Sequence, residues 1–85
     1  MSDPHDFLPE TSQQAARYDR IARELAEAAE HARTAAEHFR HGEVPRGCAH
    51  SLALEGHLAE VRLELEEAAR LHARKSRPQP PGLFV

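Results

Sequence analysis

The chain has 85 residues, with 11 Lys and Arg, 14 Asp and Glu, 7 His and a formal net charge of -3. This length holds one domain, and the charge balance leaves no basic stripe to neutralise phosphates, which argues against a nucleic-acid partner. A lone Cys48 excludes an internal disulfide framework and fits a reducing cytosol; with no basic-then-apolar leader and no apolar run near the ~18 residues of a membrane span, a cytoplasmic protein without a membrane partner is expected.

Residues 1–10 read as an extended N-terminal arm, because Asp3-Pro4 and Leu8-Pro9 both bias the preceding residue away from helix. Thr11 and Gln14 have capping-box spacing, so helix one is predicted over about 11–41. Within it Tyr18, Leu25, Ala32 and Phe39 recur every seven residues, with Ile21, Ala28 and Ala35 between them. That is the pattern of a coiled-coil seam. Beside the seam, Ala15, Ala22, Ala29 and Ala36 form a row of small side chains that lets a second helix approach closely.

The break at His41-Gly-Glu-Val-Pro-Arg-Gly47 is the pivot of the chain. A glycine just past a periodic run stops a helix, and a proline shortly after suits the first turn of the next, so a hinge is predicted over about 42–46. Helix two, about 46–75, has a main stripe of Leu54, Leu58, Val61, Leu65 and Ala68. A second stripe of Leu52, Gly56, Ala59 and Leu63 lies on its opposite side. A helix apolar on two sides is buried on two sides, so the expected fold is all-α: an antiparallel, coiled-coil-like two-helix hairpin that dimerises into a four-helix bundle. The Pro-rich tail, 76–85, cannot continue the helix, and its apolar tip Leu83-Phe84-Val85 has the form of a docking motif on an extended spacer.

Seven histidines are far above ordinary usage. His31 and His38 share one heptad position of helix one, and His50 and His57 share the equivalent one of helix two. Folding about Glu43 brings His38 to His50 and His31 to His57, with Glu24 and Glu64 as the next rung. Neutral imidazoles in facing pairs suit zinc, nickel or copper. The tight metal signatures are missing: no Glu-x-x-His, as a di-iron carboxylate bundle requires, occurs in the sequence. His72 falls on the main apolar stripe and is expected as a buried, hydrogen-bonded core residue. Cys48, in the first turn of helix two, is expected as a small half-buried residue rather than a nucleophile, for which no base or oxyanion site is in view.

These readings point to a non-catalytic helical interaction module without a cofactor, an adaptor or small accessory subunit that pairs with itself or with another protein. Its interface residues would be Leu52, Gly56, Ala59 and Leu63 with the alanine row, and its docking residues Leu83, Phe84 and Val85. The alternative is a metal-binding or metal-sensing bundle built on His31, His38, His50 and His57.

Overall fold

A computed structural model describes residues 9–75, which form two antiparallel helices packed side by side, α1 (Pro9–Arg40) and α2 (Val44–Lys75). Each has 32 residues, or about 48 Å at the rise of an α-helix, so their free ends meet. There Lys75 pairs with Glu10. Pro9 and Glu10, expected in the arm, belong to α1, and residues 1–8 and the tail, with Leu83, Phe84 and Val85, lie outside the described residues. Among the described residues no helix is long and apolar enough to cross a membrane.

α1 starts at Pro9, two residues ahead of the capping box, since proline is tolerated in a first turn whose N–H groups have no helical partner. The reversal is tighter than the sequence suggests. Gly42 has a φ of +73°, the left-handed conformation that closes many helices. Its N–H donates to the Phe39 carbonyl at 3.0 Å, and the Glu43 N–H reaches back to the His38 carbonyl at 2.8 Å. That pair of bonds satisfies carbonyls the helix end would otherwise leave open. Glu43 then turns from closing one helix to opening the next, for its carbonyl accepts the Gly47 N–H at 3.0 Å. Its carboxylate adds a bond from Arg46 at 2.9 Å. α2 therefore begins at Val44, earlier than Arg46, with Pro45 inside its first turn.

The buried apolar core is small: Ile21, Ala28 and Ala35 from α1 and Val61 from α2. Gly47 joins it, because a Cβ there would lie 2.6 Å from the Phe39 ring. Leu54, Leu58 and Ala68 are half-buried.

The seam differs from the predicted one. Tyr18, Leu25, Ala32 and Phe39 are exposed on the rim, and Leu65 of the main stripe of α2 is exposed with them. The row that shares the contact with Ile21, Ala28 and Ala35 is instead Arg17, Glu24, His31 and His38, all half-buried. These two rows flank the Ile21 row to either side, about 100° apart around the helix, and one partner helix covers only one of them well. The polar row finds cross-helix partners on α2, and the apolar row is left at the edge. For the same reason His72 is exposed and not a core residue: towards the open end the contact runs through Ala68 and Leu71, and the next position rotates outward. Cys48 is exposed rather than half-buried, since Gly47 takes the inward position of that turn.

Candidate functional site

One edge of the hairpin carries a continuous ladder of polar groups that joins α1 to α2 and, at its closed end, to the hinge. From the open end, Arg20 donates its Nε–H to Glu64 Oε2 at 2.6 Å, with Arg17 Nε at 3.8 Å from Glu64 Oε1. Next, Glu24 Oε2 lies 2.5 Å from His57 Nδ1, and Glu27 Oε2 lies 3.5 Å from the other nitrogen of the same ring, Nε2. The His57 ring stacks on His31, centroids 5.2 Å apart and 24° from parallel. His31 Nδ1 meets His50 Nδ1 at 2.9 Å, a distance at which one nitrogen holds the proton and the other accepts it. His50 stacks in turn on His38, with centroids 5.4 Å apart. His38 Nδ1 closes the ladder at the hinge, 3.4 Å from Glu43 Oε1.

The ladder arises from local sequence. Seven-residue spacing keeps Arg17, Glu24, His31 and His38 on one side of α1, and His50, His57 and Glu64 on one side of α2. The short reversal at Gly42 returns α2 alongside α1, so that the two rows lie within reach of each other. Glu24 and Glu64 do not form a rung with each other: Glu64 is held by arginine, and Glu24 by His57.

Four imidazoles lie in a row, but their nitrogens do not converge. Among the described residues, the group that brings three ligand-type atoms within 4.8 Å of one another is Glu24, Glu27 and His57. The ring nitrogens of His57 meet the two carboxylates, while those of His31 and His50 meet each other. Sequence reasoning missed Glu27. Its signal was present: Glu24 and Glu27 are three apart, one turn of a helix, so they point the same way.

The predicted interface residues lie elsewhere. Leu52 and Leu63 are exposed on the back of α2, away from α1, with Gly56 and Ala59 exposed between them. A Cβ at Gly56 would meet nothing within 4 Å. Of the alanine row, Ala15 and Ala22 are exposed and Ala29 and Ala36 half-buried; the row borders the rim formed by Tyr18, Leu25 and Phe39. Among the described residues the surface forms no pocket.

Comparison with known protein families, with curated proteins and with solved structures finds no match for this chain.

Proposed function

We propose that this hairpin is a non-catalytic helical interaction module, which pairs with a second copy in a four-helix bundle. The observation that carries this reading is the imbalance of its apolar surface. Tyr18, Leu25, Phe39, Val44, Leu52, Leu63 and Leu65 are all 45% to 74% exposed, whereas the buried core consists of two aliphatic side chains and two alanines. Burying a fully exposed side chain of this kind is worth ~1.5–3 kcal/mol, of which these residues have roughly half or more still to gain, and a core this small is a weak basis for a lone hairpin. Covering these groups is the largest stabilisation open to the molecule.

Two surfaces are open to a partner. The first is the rim, where Tyr18, Leu25 and Phe39 lie beside the alanine row on α1 and Leu65 lies on α2. It spans both helices, as the contact face of a four-helix bundle does. The second is the Leu52–Leu63 stripe on the back of α2, whose small Gly56 and Ala59 admit close approach of a further helix. In this reading the rim takes the second copy and the back stripe serves the adaptor role.

Light scattering across a concentration series tests it. The expected mass is that of a dimer, lowered to that of a monomer by Leu25→Glu with Leu65→Glu and unchanged by Leu52→Glu with Leu63→Glu. A monomer at every concentration, with a cooperative melt, would sink self-association. A mass that responds only to the Leu52 and Leu63 changes would move the copy-to-copy contact to the back stripe.

A further inference from the structure

We infer that Glu24, Glu27 and His57 form a binding site for a divalent transition-metal ion, zinc in the first instance, that clamps α1 to α2. The inference is independent of how the hairpin associates. It stands on the convergence of three ligating groups from two helices, with one atom of each within 4.8 Å of the others. Two donors bound to one tetrahedral zinc ion at 2.0–2.2 Å lie about 3.3–3.6 Å apart. The group therefore needs to close by at most about 1.5 Å. Glu27, with a side chain 61% exposed, is free to make that move, while Glu24 and His57 are more deeply held.

Charge points the same way. Glu30, Glu37, Glu43, Glu64 and Glu67 each meet an arginine. Among the described residues Glu24 and Glu27 meet neither arginine nor lysine, and they share the one imidazole of His57. Two carboxylates about a single imidazole leave net negative charge at the centre of the ladder, which a dication neutralises. The donor set chooses the ion. One imidazole nitrogen with two carboxylate oxygens suits zinc and its neighbours, whereas magnesium and calcium prefer oxygen alone. Three protein ligands leave a fourth position for water.

The site differs from a general affinity of histidine-rich surfaces for metal, because the carboxylates are indispensable to it and the His31–His50 pair is not. Untagged, chelator-treated full-length chain titrated with zinc chloride by calorimetry decides the matter. The expected result is one ion per chain, with a dissociation constant of micromolar or tighter, and a melting temperature raised by roughly 5 °C at saturating zinc. Glu24→Gln with Glu27→Gln keeps the size and shape of both side chains and should weaken binding at least tenfold. His31→Gln with His50→Gln should leave binding within threefold of the wild type. Circular dichroism checks that both variants remain helical. Failure to bind zinc more tightly than about 100 μM, unchanged binding by the glutamine-for-glutamate variant, or loss of binding in the His31 and His50 variant would each overturn the three-residue site.

Discussion

Arg17 is the residue whose placement is hardest to justify by its own interactions. It sits in the contact row of α1, yet its Nε and Nη1 are buried without a hydrogen-bond partner, and its approach to Glu64 is a long 3.8 Å. A buried charge that is poorly paired loses hydration without regaining it, and an apolar residue of similar size is often neutral or stabilising by ~1–4 kcal/mol. Glu64 also holds Arg20, at 2.6 Å, and so has a second partner of its own. Arg17→Met is therefore expected to hold or raise the midpoint of urea unfolding, and a clear fall would show that the guanidinium stabilises the fold through contacts other than Glu64. Gly47 gives the opposite lesson, where the missing side chain is the point. Alanine is the better helix former by ~1 kcal/mol, but its methyl group would meet the Phe39 ring at 2.6 Å. Overpacking of that kind typically costs ~1–3 kcal/mol, so Gly47→Ala should lower the melting temperature. On a Phe39→Ala background the clash is gone and the same change should raise it. If the sign does not reverse, the ring is not what keeps position 47 a glycine.

At the scale of the element, both helices are legible in the chain, since alanine, leucine, glutamate and arginine fill them and neither glycine nor proline breaks α1 after its start. The reversal was readable too, from Gly42 and Pro45. Its tightness was not, because it depends on Glu43 closing α1 and opening α2 at once, a double role set by backbone hydrogen bonds that no residue type announces. Gly42 has nothing within 4 Å of a built Cβ, so an added side chain would meet only backbone strain. Placing an ordinary L-residue in the left-handed region costs about 1–2 kcal/mol. Gly42→Ala should lose about that much in urea unfolding, with Gly42→Asn in between. A loss near zero would mean that the turn has room to adopt another geometry.

For the whole molecule, the governing fact is that a hairpin buries one stripe per helix while this sequence carries more apolar surface than that. The back stripe of α2 was visible from the sequence, because Leu52 and Leu63 cannot face the same way as Leu54, Leu58 and Val61. The rim was not, for Tyr18, Leu25 and Phe39 share a heptad position that a single helix cannot distinguish from a core row. Covering these surfaces should make stability depend on protein concentration, since folding is then coupled to association. A melting temperature that rises with concentration over two decades is the expected result, and one that stays constant would place the whole stability in the isolated hairpin.

By itself, the sequence determined that the chain would make two long helices, that they would turn back near Gly42, and that histidines would fall along one edge, because helix propensity, a turn glycine and seven-residue spacing are local properties. Only the tertiary structure decided which of two adjacent rows of α1 faces α2, that His57 turns to Glu24 and Glu27 while His31 meets His50, and that Arg17 is covered. Those outcomes depend on the size and charge of side chains on both helices at once. A register between two helices belongs to the pair, and neither strip of sequence contains it alone.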